Sequence, residues 1–319
     1  MVGAKTVLVT GASGNLGTRL ARRLAGSEHR LRLMVHRTAL ARDLATAPNV
    51  EIVTADLGRP ETLRAAAAGA DVVVHFAGVL FAPQPERFLP ITNTVWFDNL
   101  LESCLDARVA RLVLVSFPHV EGPTTPEHPA TGRLDGAPVS VHARTRLEEE
   151  RLLFARATGT STVPVVLRLG MVYGRGILMI DAARWLAAHR LLGVWRDPTW
   201  VHLVSEPDAL EAISAALLKE GIEGIFHVGD ERPMLLQDFL DRACDAWKLP
   251  RPWRMPMWMI CLAATLCEGW ARLFRTQSPL TRDFVTIGRV SYCGDTSRMR
   301  RELVPELRYP TLGEGMGTL

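Results

Sequence analysis

Three groups of residues could do chemistry. The first is Thr10-Gly11-Ala12-Ser13-Gly14-Asn15-Leu16-Gly17. Glycines at this spacing, after an apolar run and before a helical pattern, allow a tight turn, then close backbone approach to a pyrophosphate, then close helix–strand packing. The free N–H groups of the helix that opens there add a positive partial charge. The second group is His142 and Arg146, four residues apart and so on one face of a helix expected over 141–157. An imidazole can pass a proton near neutral pH, whereas a guanidinium holds hydroxyls but cannot lose a proton. Its like charge should depress the His142 pKa. The third is His36-Arg37, where no carboxylate occurs between Glu28 and Asp43. The five cysteines, Cys104, Cys244, Cys261, Cys267 and Cys293, are odd in number and form no CxxC, so neither a disulfide framework nor a metal site is expected.

The elements that must position these groups alternate. Apolar runs at 6–10, 31–35, 50–55, 71–76, 111–116 and 163–169 read as buried strands, and 224–228 as a last strand returning to the sheet. Helical patterns lie between them, from Gly17 to about Ala25 and at 38–45, 60–68, 87–107 and 141–157. The strands are continuously apolar, as burial on both faces requires, and strand–helix alternation implies right-handed crossovers and a parallel sheet. The fold class is therefore α/β, a Rossmann doubly wound parallel sheet with a smaller C-terminal lobe. The first unit is expected over 1–174 with return segments at about 200–230, and the lobe over 175–199 and 231–319. Seven of the eight tryptophans fall in the second half.

Composition narrows the function classes. The chain has 319 residues, 48% hydrophobic, with 37 Lys+Arg against 34 Asp+Glu and a formal charge of +3. That excludes a disordered chain. Lys5, Lys219 and Lys248 are the only lysines, and the arginines are scattered without a run, which argues against a nucleic-acid partner. No apolar leader precedes the first strand, and the longest apolar run, Met255 to Cys267, has 13 residues and contains Pro256. The expectation is a soluble, cytoplasmic protein without a transmembrane segment, with weak membrane-surface contact open to it through 255–274.

Further motifs carry a resemblance. Asp56-Leu57, His75-Phe76-Ala77-Gly78, Asn93 with Asn99-Leu100-Leu101, Leu167-Arg168-Leu169-Gly170-Met171-Val172-Tyr173-Gly174, Trp200-Val201-His202-Leu203-Val204 with Asp208, and Gly224-Ile225-Phe226-His227-Val228-Gly229 follow in order. With the glycine turn they resemble the extended branch of the short-chain dehydrogenase/reductase superfamily, nearest to NAD(P)-dependent epimerase/dehydratases and 3β-hydroxysteroid-dehydrogenase-like enzymes. The resemblance implies that Gly11, Ser13, Gly14, Asn15, Leu16 and Gly17 hold the pyrophosphate. It places Asp56 and Leu57 at the adenine, and Ala77, Gly78, Leu169 and Gly170 along the rest of the cofactor. An NAD site of this type has a carboxylate where His36 and Arg37 stand. NADP(H) is therefore favoured, with NAD(H) open, and Arg37 either pairs with a 2′-phosphate or is stacked or solvated.

The resemblance also exposes a departure. The Pro…Tyr-x-x-Ser/Thr-Lys…Glu pattern falls on Pro138, His142, Thr145, Arg146 and Glu150, so His142 replaces the Tyr and Arg146 the Lys. Ser116 is present after the fifth strand, but Phe117 aligns with the hydroxyl residue. Two readings stand: His142 is the proton donor with Arg146 on the nicotinamide ribose, or His142 is a cavity residue and no acid/base pair exists. Tyr173, expected to face the substrate pocket, could supply the missing phenol. His119, Glu121 and His128 read as polar loop residues. The lobe offers Arg175, Arg184, Arg190 and Arg196 to a sugar nucleotide, but its apolar bulk favours a hydrophobic small-molecule substrate. A carbonyl/alcohol oxidoreductase leads. A non-redox epimerase, dehydratase or cyclase, or a silent NADP-binding protein, are the alternatives. The resemblance also implies a homodimer through helices 87–107 and 141–157, the first carrying Val95, Trp96, Leu100, Leu101 and Leu105, although each helix also has a face that must cover the sheet and could claim these residues as core alone.

Overall fold

A computed structural model describes residues 3–76, 78, 84–274 and 280–319. Seven strands form one parallel sheet: β1 Thr6–Thr10, β2 Arg30–Val35, β3 Val50–Thr54, β4 Val72–His75, β5 Arg111–Ser116, β6 Val163–Leu169 and β11 Gly224–Val228. Their order is β11-β6-β5-β4-β1-β2-β3. The chain reverses direction of travel between β1 and β4, where Thr10 lies opposite His75. Ligands of doubly wound sheets bind outside the strand ends at such a switch point.

Side chains alternate between two apolar layers. Val7 and Val9 face one, with α1 (Asn15–Leu24) and α7 (Glu206–Leu218); Leu8 faces the other, with α3 (Pro60–Ala67), α4 (Trp96–Asp106) and α5 (Val141–Ala157). A third apolar cluster lies in the second half. It draws on β7 (Met171–Tyr173), α6 (Leu178–Ala188), β8 (Gly193–Trp195), α8 (Leu236–Trp247), α9 (Met257–Phe274) and α10 (Arg282–Gly288). Leu16 and Val172 pack against both the first and the third cluster, so no linker separates them. Short pairs join β7 to β10 (Leu203–Ser205), and β8 to β13 (Trp253–Met255).

Three expectations are corrected. The helix expected over 38–45 contracts to α2 (Arg42–Ala45). The helix expected over 87–107 starts as a wide turn, Pro90–Val95, before α4; Pro90 has no N–H for a regular ladder and clashes with the preceding turn. The helix that carries the apolar run does not stop with it at Cys267 but continues to Phe274. Among the described residues one helix, Met257–Phe274, with mean hydropathy 1.2, is long and apolar enough to cross a membrane, and only 22% of it is buried. Pro256 precedes its first turn rather than breaking it. The apolar bulk expected at a dimer contact is largely spent on the chain's own core: Leu100 and Leu101 are fully buried, while Val95 is 53% exposed.

Candidate active site

The turn after β1 is shaped by backbone geometry. Gly11 adopts φ +71°, a left-handed conformation that glycine adopts without strain. Gly14 N–H donates to the Gly11 carbonyl at 2.9 Å. A Cβ on Gly17 would collide with that carbonyl and stand 2.9 Å from its carbon. α1 begins after Gly14 with no side-chain cap and no carboxylate in its first turn. Its leading N–H groups are left for an anion, and Ser13 is half-buried beside them. These residues fit a dinucleotide pyrophosphate. Asn15 spends its side chain elsewhere, donating to the Gly176 carbonyl at 2.9 Å, and Arg19 donates to the Arg175 carbonyl at 3.0 Å. Both fasten the loop after β7 to α1. Leu16 packs between the two apolar clusters.

Beyond the ends of β2 and β3, the His36 Nε2 lies 3.4 Å from Asp56 Oδ2, and Arg59 Nε lies 3.9 Å from the same oxygen. Asp56 Oδ1 accepts from Gly58 N–H at 2.9 Å. Asn99 of α4 donates to the Leu57 carbonyl at 2.9 Å, which fixes that turn. Arg37 is exposed at the end of β2. His36 and Arg59 therefore flank Asp56, with Arg37 exposed just beyond β2, and Arg59 was not foreseen.

The floor is His75. Thr10 Oγ1 and His75 Nδ1 are 2.8 Å apart, and the ring leans on Phe97 with centroids 5.3 Å apart. Burial, then the Arg146 charge, lowers its pKa to about 3, so it is neutral. Ala77 lies outside the described residues.

α5 carries the acid/base candidates. Ser140 caps it, accepting from Ala143 N–H at 3.1 Å, and Asn93 donates to Thr145 Oγ1 at 3.0 Å, docking the helix on the turn before α4. His142 is 3% exposed. Its ring meets the edge of Phe117 at 4.8 Å, and Phe117 stacks on His119 at 4.8 Å. Burial is the main cause, with Arg146 and His119 adding to it, of a pKa lowered to about 3. One turn on, Arg146 Nη1 donates to Glu149 Oε2 at 2.7 Å. The Arg146 guanidinium lies over Gly78, where a Cβ would overlap it. His142, Arg146 and Gly78 are thus brought together at the C-terminal end of the sheet. Burial pushes Glu149 up to about 7 against the pull of Arg146, and its Oε1 has no partner.

Ser116 is present where expected, but its hydroxyl donates to Glu150. Glu150 also accepts from Arg168 Nη2 at 2.6 Å. Arg168, fully buried in β6, further reaches Glu121 and donates to the Arg133 carbonyl at 2.8 Å. Glu121 accepts from Gly132 N–H at 2.7 Å and lies 3.3 Å from His227 Nε2. Burial opposes its ionisation, but His227, the Gly132 N–H and Arg168 together hold it down to about 2. Glu121 and His119 are therefore not ordinary loop residues; Glu121 is buried and His119 half-buried, while His128 is exposed. The signal for the cluster was Arg168 itself, a cation inside an apolar strand, which demands buried carboxylates.

Tyr173 departs from its expected place. It is fully buried in the third cluster, its hydroxyl packs on Gly315 without a hydrogen bond, and burial leads the causes that push its pKa above the ordinary phenol range. Gly170 serves a close backbone approach: its N–H donates to the Val228 carbonyl at 2.8 Å, and a Cβ would stand 3.2 Å from the His202 carbonyl carbon. Leu169 is buried beside it.

The profile of the NAD dependent epimerase/dehydratase family matches residues 7–228. The chain belongs to that family of enzymes and is of the extended short-chain dehydrogenase/reductase type. A ceramide reductase of Caulobacter vibrioides is 29% identical over 281 residues, 85% of this chain and 80% of that one. The 3 beta-hydroxysteroid dehydrogenase type 7 of Rattus norvegicus is 31% identical over 135 residues, 40% of each chain. Among solved structures, MoeE5 in complex with UDP-glucuronic acid and NAD has a TM-score of 0.77 at 21% identity, covering 98% of this chain and 97% of that one, which shows the shared fold.

Proposed function

We propose that the chain is an NADP(H)-dependent oxidoreductase acting on a carbonyl or alcohol of a hydrophobic small molecule. The observation that carries this reading is the meeting of His142, Arg146 and Gly78 at the C-terminal end of the sheet, where His142 would serve as the family's proton-transfer residue and Arg146 as its ribose-holding one. Gly11–Gly17 would hold the pyrophosphate, Arg146 the ribose beside Gly78, and His36, Arg37 and Arg59 a 2′-phosphate. A bound nicotinamide supplies or removes the hydride.

His142 then handles the proton as a neutral imidazole. Burial keeps the ring uncharged, as in other sites where a neutral histidine polarises a carbonyl. In reduction its N–H holds the substrate oxygen and gives up the proton as that oxygen becomes a hydroxyl, and solvent restores the ring after product leaves. In oxidation the same steps run backwards: the ring first yields its N–H proton to solvent and then accepts the alcohol proton at that nitrogen. Phe117 packs against the ring, with His119 stacked on Phe117 in turn. A hydrophobic substrate is supported by the apolar, tryptophan-rich lobe and by two relatives whose names specify lipids.

The test is NADPH oxidation over a panel of apolar ketones, with both cofactors titrated. His142→Phe should cut turnover by ~10²–10⁴-fold with NADP affinity little changed. Arg37→Ala should weaken NADP by ~1–3 kcal/mol and leave NAD unaffected. Equal binding of NAD and NADP by the wild type would remove the NADP assignment. Conversion of substrate without net change in NADPH would select an epimerase or dehydratase, a reading favoured by Phe117 standing where a hydroxyl is usual. Cofactor binding without any turnover would select the silent alternative.

A further inference from the structure

The outer face of α9 is unlike the rest of the surface. Trp258, Leu262, Leu266, Trp270 and Phe274 follow one another at four-residue intervals, and their exposures are 66%, 51%, 65%, 64% and 52%. They form one ridge about 24 Å long at 1.5 Å per residue. The opposite face is spent on the protein, since Ile260, Ala264, Glu268 and Ala271 are buried. Glu268 accepts from the Arg282 backbone N–H at 2.8 Å and from its Nε at 3.0 Å, which bolts α9 to α10.

A ridge of large apolar side chains in water marks a surface that something covers. Two observations select the cover. Tryptophans stand toward both ends of the ridge, and Trp253, 64% exposed, precedes it; indole rings favour the boundary between water and lipid. Between residues 241 and 289 the sequence carries eight Arg and Lys against four Asp and Glu. That excess complements anionic headgroups and would repel a second copy of itself. The buried inner face and the Glu268–Arg282 bond hold the helix along its length, so it cannot leave the lobe to span.

We propose that the outer ridge of α9 seats the protein on an anionic phospholipid bilayer, with the helix lying in the plane of the interface. The full chain is sedimented with phosphatidylcholine vesicles and with vesicles containing roughly a third phosphatidylserine. The expected result is co-sedimentation with the anionic vesicles, weakened by high salt. Leu262→Glu with Leu266→Glu should lower that binding by at least about tenfold while thermal unfolding stays in place. Should that pair fail to fold, Leu266→Gln alone should give a smaller loss in the same direction. Lipids brominated near the headgroup end should quench Trp258 and Trp270 alike, resolved with variants lacking one or the other. Wild type left in the supernatant with both vesicles overturns the proposal, as does undiminished binding by the glutamate variants. Quenching of one tryptophan only, by bromine deep in the chains, makes α9 a span. A dimer split by the glutamate variants and indifferent to vesicles assigns the ridge to a second copy.

Discussion

Replacing His142 with Phe should make the protein less sensitive to acid, by an amount set by where the imidazole sits. The ring is 3% exposed and its pKa is lowered to about 3, while an unfolded chain titrates near 6.5. A group with a depressed folded pKa binds more protons unfolded, so stability falls as pH drops below about 6.5 and goes on falling until the folded pKa is reached. At pH 7 the two states hold nearly the same number of protons on this ring. At pH 5 the unfolded state is favoured by about 1.5 units at 1.36 kcal/mol each, or ~2 kcal/mol. His142→Phe deletes that dependence. Any repacking cost of the larger ring against Phe117 is independent of pH and cancels when the variant's pH 5 and pH 7 values are subtracted. His75 and His202 are also buried and His119 half-buried, all with lowered pKa values, and they titrate in both proteins, so their contributions cancel as well. Urea unfolding at the two pH values would measure the difference. Wild type should lose ~2 kcal/mol more than the variant between pH 7 and pH 5. Parallel losses would mean that the ring is already charged or wet, and the neutral-imidazole mechanism would fall with it. The same reasoning requires reductive turnover to show no His142 inflection between about pH 5 and pH 8.

Two other perturbations test the frame around the site. Gly17→Ala places a methyl against the Gly11 carbonyl, where only backbone can yield; dinucleotide binding should be lost by fluorescence titration, with ~1–3 kcal/mol of destabilisation on urea unfolding. Arg168→Met leaves Glu150 and Glu121 buried beside each other without their cation; a loss of ~3–5 kcal/mol in the same assay is expected, and a loss under ~1 kcal/mol would mean that water already reaches the cluster.

The parallel sheet was legible because each strand is an apolar run closed by a polar or glycine break. Thr6–Thr10, Arg111–Ser116, Val163–Leu169 and Gly224–Val228 have the bounds that pattern implies. So does α5, whose Ser140 cap is local chemistry. What failed was set by distant residues or by proline. The wide turn at Pro90 interrupts an otherwise helical pattern, and α9 outlasts its apolar run because Glu268 finds Arg282. At the site, the direction of the His142 shift was readable from Arg146 one turn away. Its size was not, because burial under Phe117 and His119 exceeds the charge effect. Ser116 could not be recognised as occupied, since Glu150 reaches it only through the pairing of β5 with β6 and the docking of α5.

The contact between Arg146 and Gly78 makes two distant positions a single mechanical unit. The guanidinium fills the volume a side chain at 78 would need, so the bulkier cation in place of lysine and the absence of a Cβ opposite it are one choice made twice. A methyl group added at 78 would push the fork away from Glu149, to which it is bonded at 2.7 Å. Burial raises Glu149 to about 7 even against the pull of that neighbour, which favours its charged form. Displacing the fork would draw a proton onto Glu149, so steric crowding on one strand end would be registered as a change of charge on a helix.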